Sequence, residues 1–339
     1  MISRLWMQCW WRFVGLAFFL GLVWASGSAA RAERLVVERA GGSEGFVLES
    51  SAVTDLSGLT WLGGEQFVAV SDKQPALIPI TLKIDRTTGR IETAASGAAI
   101  RVPSELRDFE GVAYVASTKA FFISAESGPA VLRFVPGAPR VERFSVPPIF
   151  AQHRRNLSLE ALTWSDTLRQ FWIANEEALK PDGPLADSSA GTLVRLQRLD
   201  AKFRPLGQFA WRTEPAAMRY AGAGSGVSDL CLLPGGELIV LERSFGFGGL
   251  HLRLFRADFS KATDTSRLPA LDGANVVPAG KELLYSQATG FTNYEGLALG
   301  PVLADGSRSL VVVADSNGGT LHHFLALKIR TRPELVKKP

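Results

Sequence analysis

The sequence predicts an all-β protein of the β-propeller class, and three observations support this prediction. A short pattern recurs five times, no amphipathic helix of three turns interrupts it, and Gly and Pro are dispersed at turns. In each copy a small or acidic turn leads into an apolar strand, a second turn and a second strand that ends in a carboxylate. Because one such unit cannot bury its own faces, the copies are expected to pack against one another.

The repeated segments are predicted to be strands because they are short, alternate in polarity and are rich in β-branched residues. Gly, Pro, Ser or Asp occupies the turn inside each copy. The first strands lie at 55–61, 108–114, 158–164, 227–233 and 293–299, and the second strands at 67–72, 121–126, 171–176, 238–242 and 310–315. A third strand is predicted at 80–84, 131–135, 192–196, 252–255 and 321–325.

The length predicts the number of blades. About 307 residues follow the first 32, and propeller blades of roughly 40 to 50 residues would divide them into about six. We therefore expect six blades, with a degenerate sixth within residues 200–225 or 259–290. Five blades with long insertions, or a pair of β-sandwiches, are the alternatives. Strands at 35–38 and 46–49 are expected to complete the last blade and close the ring.

Residues 1–32 are predicted to be a signal peptide, and residues 33–339 a single propeller domain. Arg4 and Arg12 precede an uncharged apolar run from Phe13 to Ala25, which leads to small residues before Arg31. An uncleaved membrane anchor is the alternative, but a run of about thirteen residues is short for a span of roughly 20. We expect a periplasmic or secreted protein with no stable membrane span after cleavage.

Charge and cysteine content narrow the function classes. Without residues 1–32 the chain has 34 Lys and Arg against 33 Asp and Glu, so its near-neutral balance does not favour nucleic-acid binding. Cys231 is then the only cysteine, which excludes an internal disulfide. We expect a monomer that acts on a small molecule.

The carboxylates that end the second strands predict a site. Glu110 and Glu126 are sixteen residues apart, as are Glu160 and Glu176. In a propeller, equivalent positions meet at one mouth of the central channel. The strand-end set is expected to gather there: Asp72, Glu126, Glu176, Glu242 and Asp315. Glu110, Glu160 and Glu295 are expected to form a neighbouring set.

Carboxylates massed in this way raise one another's pKa unless a cation neutralises them. Oxygen-rich clusters suit Ca²⁺, which would polarise a phosphoryl or carbonyl oxygen while a carboxylate activates water. We assign Glu176 and Glu242 to catalysis and Arg243 as a clamp for an anionic group. The predicted ligands of the divalent cation, expected to be Ca²⁺, are Asp72, Glu126, Glu160, Glu295 and Asp315. Alternatively, each acid caps a strand end and has only a structural role.

Several stretches resemble a known family. Residues 229–244 read Asp-Leu-Cys-Leu-Leu-Pro-Gly-Gly-Glu-Leu-Ile-Val-Leu-Glu-Arg-Ser, and 156–162 read Asn-Leu-Ser-Leu-Glu-Ala-Leu. With Asn-Tyr-Glu-Gly-Leu-Ala at 293–298 and Ala-Asp-Ser-Asn at 314–317, they resemble the phytase-like family, described as "esterase-like activity of phytase". The resemblance implies an exported bacterial propeller that hydrolyses phosphate or carboxylic esters. A propeller of the sugar-lactone hydrolase type and a non-catalytic binding propeller are the alternatives.

Overall fold

The computed structural model describes residues 33–41, 45–50, 53, 55–217 and 222–333, which form five antiparallel sheets. The predicted signal peptide lies outside these residues. Helical structure in the described part consists of three short 3₁₀ turns, at Ala116–Thr118, Pro148–Gln152 and Lys180–Asp182. None of its helices is long and apolar enough to span a membrane.

Each sheet is one blade of a propeller. Blade 1 contains β3 (Leu56–Gly63), β4 (Gln66–Ser71), β5 (Ala76–Ile84), β6 (Ile91–Ser96) and β7 (Ile100–Arg101). Blade 2 contains β8 (Phe109–Val115), β9 (Ala120–Ala125), β10 (Ala130–Phe134) and β11 (Glu142–Ser145). Blade 3 contains β12 (Leu159–Ser165), β13 (Gln170–Asn175), β14 (Leu193–Asp200) and β15 (Pro205–Arg212). Blade 4 contains β16 (Gly224–Leu232), β17 (Leu238–Gly246), β18 (Gly249–Asp258) and β19 (Gly280–Gly290). Blade 5 contains β20 (Asn293–Val302), β21 (Arg308–Asp315), β22 (Leu321–Pro333), β1 (Glu33–Arg39) and β2 (Phe46–Glu49).

The two ends of the described chain close the ring. The inner strands β3, β8, β12, β16 and β20 each adjoin the next, and β20 returns to β3. β1 is the outermost strand of blade 5, where Leu35 pairs with Thr331 and Val37 with Ile329 on β22. β2 pairs with the other end of β22. The expected closure by the N-terminal strands is therefore present in the structure.

Five large layers of hydrophobic core lie between the blades, one for each pair of neighbours, and a smaller cluster contains Leu193, Ala210 and Leu271. Between blades 1 and 2, Val70 packs with Phe109, and between blades 2 and 3, Phe122 packs with Phe171. The apolar face of each blade is thus covered by the next blade, as the repeated sequence pattern requires. The remaining layers lie between blades 3 and 4, 4 and 5, and 5 and 1.

The prediction of a sixth blade is wrong, because the two regions that were expected to contain it belong to blades 3 and 4. Residues 200–225 include β15, the outer strand of blade 3, and residues 259–290 include β19, the outer strand of blade 4. The segment between β18 and β19 lies along the open edge of β15. There Thr265 N donates to Gln208 O and Ala279 N to Ala210 O. The extra length therefore covers a sheet edge that would otherwise be free to pair with another chain.

A buried ion pair fixes this segment to blade 3. The Arg195 guanidinium donates two bonds of 2.7 Å to Asp182, and the two side chains are 1% and 0% exposed. Arg195 also donates to Gln208 and to the Leu268 carbonyl, while Asp182 accepts from Leu271 N. One pair thus connects the loop after β13, the strands β14 and β15, and the covering segment.

We expect Asp182→Ala to lower the free energy of unfolding by roughly 3–5 kcal/mol, because it leaves a buried guanidinium without its counter-charge. Urea denaturation would measure the change. Glu92→Ala is the control, since Glu92 pairs with a largely exposed Lys83 and should change stability little. Equal effects of the two substitutions would contradict this account of the ion pair.

Candidate functional site: an acidic channel mouth

A β-bulge near the start of each inner strand turns one side chain toward the axis. In blades 2, 3 and 5 the pairing with the second strand shifts around Glu110, Glu160 and Glu295. Ser57 and Ser228 occupy the equivalent places in blades 1 and 4. Side chains of a regular inner strand face the neighbouring blades, whereas a bulge re-aims one of them. We call these five residues the bulge ring.

The inner strands approach one another closely directly after the bulge. A Cβ at Gly58 would lie closer than 3.0 Å to the backbone of β8, and one at Gly111 equally close to that of β12. Glycine at these places therefore permits the inner strands to meet around the axis.

Blade 4 has Asp229 at the corresponding place, and its role was not predicted from the sequence. Its carboxylate accepts hydrogen bonds from Leu297 N (2.7 Å) on β20 and from Leu230 N (2.8 Å). It also accepts a hydrogen bond from the backbone of Leu162 on β12. Burial raises the pKa of Asp229 well above its ordinary value, and these N–H donors oppose the rise. Asp229 thus connects the inner strands of blades 3, 4 and 5. The signal that could have identified it is its place in the repeat, where three other blades have glycine.

A second ring lies beside the first. Counted from the bulges, equivalent positions on the second strands or directly after them hold Asp72, Glu126, Glu176, Arg243 and Asp315. We call these five residues the rim ring. Its members in blades 1 to 3 are fixed alike, because the backbone N–H of each donates to a carbonyl just before the inner strand. The mouth therefore brings together seven predicted carboxylates and Arg243.

Glu242 does not join this group. In the β16–β17 pairing it stands opposite Val227, one residue before the rim-ring position. Its fully buried carboxylate accepts from Trp211 Nε1 (2.8 Å), from Glu214 N (2.9 Å) and from Lys281 Nζ (3.2 Å). Since a one-residue step along a strand reverses the face of the side chain, Glu242 packs toward blade 3 and away from the mouth.

Arg243 lies among the acids and is already paired. Its guanidinium donates to Glu176 (2.7 Å), to Glu295 and to Asn293 Oδ1 (2.8 Å). Burial alone would lower the pKa of Arg243, but the carboxylates of Glu295 and Glu176 raise it well above the ordinary value. Arg243 is therefore a permanent positive charge that holds one carboxylate from blade 3 and one from blade 5.

Glu126, Glu160 and Glu176 form a close group of carboxylates. One oxygen from each lies within 4.8 Å of the other two. Burial raises the pKa of Glu160 well above its usual value, and the neighbouring Glu110 and Glu176 raise it further. Burial also raises the pKa of Glu126 and that of Glu176, the latter opposed by Arg243. These three side chains are therefore held together against their own repulsion.

The remaining predicted acids lie around this group. Glu110 accepts a hydrogen bond of 2.7 Å from Ser57 Oγ. Asp72 pairs with Lys73. Burial and the charge of Glu295 raise the pKa of Asp315 to about 7, and its neighbour Asp55 contributes to the rise.

Several buried oxygens near the mouth have no hydrogen-bond partner among the described residues. They include Ser158 Oγ, Ser228 Oγ, Glu177 Oε2 and, in the rim ring, Asp72 Oδ1. Ser158 directly precedes β12, and its backbone N–H donates to Glu126. Burial raises the pKa of Glu177 to about 7, with a further contribution from the charge of Glu176. The mouth thus contains buried polar atoms whose hydrogen-bonding capacity the described residues leave unused.

These features define a five-bladed β-propeller with an acidic channel mouth. The chain matches the model of the phytase-like family, described as "esterase-like activity of phytase", over residues 51–318, and it belongs to that family. No curated protein matches it.

Among solved structures, a luciferin-regenerating enzyme is 12% identical, with a TM-score of 0.41 and coverage of 84% of this chain and 95% of that chain. The PQQ-bound aldose sugar dehydrogenase from Streptomyces coelicolor is also 12% identical, with a TM-score of 0.41 and coverage of 88% and 99%. Neither likeness bears on the chemistry of the mouth.

We expect Glu177→Gln to flatten the pH dependence of stability in protein freed of divalent cations. The pKa of Glu177 rises from 4.5 to about 7 on folding, so the folded state binds this proton more tightly than the unfolded state. The stabilisation that results is complete below pH 4.5 and is lost as the pH rises through about 7. The wild-type free energy of unfolding should therefore fall across this interval, and that of the variant should fall less. Denaturant unfolding at a series of pH values would measure both, with the exposed Glu65→Gln as control. Parallel curves for wild type and Glu177→Gln would refute the expectation.

Proposed function

We propose that the acidic mouth binds a divalent cation, Ca²⁺, and hydrolyses phosphate or carboxylic esters of a small molecule. The observation that supports this most is the convergence of Glu126, Glu160 and Glu176, whose oxygens lie within 4.8 Å of one another. Two ligands of one calcium ion, each at 2.3–2.6 Å, are at most roughly 5 Å apart. The spacing of the three carboxylates therefore matches a single shared ion.

The surroundings of this group also suit a hard cation. No described residue donates a hydrogen bond to the Glu160 carboxylate, although it is buried. The unpartnered hydroxyls of Ser158 and Ser228 are neutral oxygens of the kind that complete a calcium shell. Because buried acceptors without donors are costly, a bound cation would relieve both the repulsion and the unsatisfied oxygens.

Each side chain at the mouth has a distinct role in this proposal. The cation, when bound, polarises a phosphoryl or carbonyl oxygen. Arg243 orients Glu176 and Glu295 and presents a positive charge to an anionic group. Burial raises the pKa of Glu110 well above its ordinary value, which suits it to accept a proton from water and return it to a leaving group. Glu242 has no part in the proposed chemistry, because its carboxylate contacts Trp211 and Lys281.

The proposal includes export of the protein from the cytoplasm. A signal peptide at residues 1–32 would place the enzyme in the periplasm or outside the cell, where millimolar calcium sites are common in extracellular modules. Cleavage of residues 1–32 and a monomeric state stay predictions.

We expect Glu160→Gln to abolish calcium-dependent hydrolysis, with a loss of at least about hundredfold in kcat/KM. The substitution keeps the size of the side chain but removes one charge from the proposed ligand group. Release of p-nitrophenol from phosphate and acetate esters, with calcium or with a chelator, would measure the loss. The exposed Glu65→Gln should behave as wild type. Equal rates for Glu160→Gln and wild type, or turnover of sugar lactones alone, would refute the proposal.

We expect Glu242→Gln to affect stability and spare hydrolysis. The amide keeps the volume and one acceptor oxygen but weakens the bonds from Trp211 and Glu214 and the pairing with Lys281. A loss of roughly 1–3 kcal/mol in the free energy of unfolding should result, while kcat/KM at a temperature well below the transition should change less than about threefold. A stable variant without activity would instead place Glu242 in the chemistry.

A further inference from the structure

Blade 4 is longer than the other blades at the acidic mouth. In blades 1 to 3 the pairing of the first two strands begins directly before the bulge, at Leu56, Phe109 and Leu159. In blade 4 three further pairs precede Val227, the last of them joining Gly224 to Phe245. The β17–β18 hairpin continues to the pair formed by Gly246 and Gly249. Blade 4 therefore forms a wall that rises above one side of the mouth.

The top of this wall is aromatic. Phe247 at the tip of the hairpin is 88% exposed, and Phe291, in the connection from β19 to β20, is 80% exposed. The two tips adjoin, because Gly290 pairs with Leu250. Phe245 lies below them and packs over Gly224, where a Cβ would be too close to its ring.

No other aromatic side chain of the described residues is comparably exposed. All three phenylalanines among the large exposed hydrophobic residues are on this wall, and the others are scattered aliphatic residues. Grouped apolar side chains next to a polar cleft are typical of a binding surface, whereas single exposed aliphatic residues are ordinary.

The wall is continuous with the proposed site. Phe247 follows Arg243 by four residues, so their Cα atoms are at most roughly 14 Å apart. Phe291 precedes Asn293, whose amide group contacts both Arg243 and Glu295. On this side of the mouth, charged side chains at the bottom and apolar side chains at the top are therefore separated by no more than the length of a small amphiphilic molecule.

We propose that this wall binds the apolar part of the substrate, so that the mouth selects amphiphilic esters with a long alkyl or aryl group over short polar ones. This inference rests on the proposed function for the position of the polar end, near Arg243 and the carboxylates. The apolar end would lie along Phe247 and Phe291 and remove their rings from water, which is the main source of affinity for such a group.

Binding of alkyl phosphates tests the wall without requiring turnover. In the presence of calcium, wild-type protein should bind octyl phosphate at least about tenfold more tightly than methyl phosphate by isothermal titration calorimetry. Phe247→Ser combined with Phe291→Ser should reduce this preference to about twofold or less and leave methyl phosphate binding unchanged. Leu283→Ser combined with Val302→Ser is the matched control, since both residues are about half exposed and lie away from the wall. This control should retain the wild-type preference.

A chain-length preference that survives in the Phe247 and Phe291 double variant, or none in wild type, would overturn the inference. Hydrolysis of p-nitrophenyl acetate and octanoate separates this result from a failure of the proposed function. Turnover without preference for the octanoate would support the proposed hydrolase activity and contradict binding of the apolar group by the wall. Preferential binding of octyl phosphate without any turnover would support binding by the wall and contradict the proposed hydrolase activity.

Discussion

The β-bulge near the start of every inner strand is the constraint on which the mouth depends. A propeller without these bulges would present strand edges to its axis and direct its inner side chains into the layers between blades. The bulge directs Glu110, Glu160 and Glu295 inward and brings the backbones so close that glycine follows in three blades. Fold and site are thus linked, because the distortion that directs the acids toward the axis also determines how closely the inner strands approach.

This arrangement concentrates mutually repelling carboxylates at the mouth. Its carboxylates share Arg243 as the one guanidinium among the rim and bulge rings, and burial weakens the solvation that would otherwise stabilise their charges. Such a group reaches a low free energy only by holding protons or by binding a cation. The fold supplies the compensating stability elsewhere, through five apolar layers between blades and the Arg195–Asp182 pair.

The sequence predicted the strands and ring closure because the repeats contain their own periodicity, and it failed where blades differ. Residues 259–279 cover β15, a long-range contact that no local pattern encodes. Glu242 was chosen because it ends an apolar strand like its counterparts. The spacing nevertheless indicates that Arg243 occupies the rim position of blade 4, because Arg243 follows Ser228 by fifteen residues, as Asp72 follows Ser57. Hydrogen bonds to Asp229 depend on three strands at once and lie beyond any single repeat.

The closure of blade 5 by β1 has a consequence for the order of events in folding. β1 is made first, yet its partner β22 lies almost three hundred residues later. During synthesis β1 therefore has an unpaired edge, which is the kind of surface that aggregates. Contacts of such long sequence separation also form slowly, because the intervening loop must close first. Blade 5 is thus complete only once β22 has been made, and the pairs that finish it join residues almost three hundred positions apart.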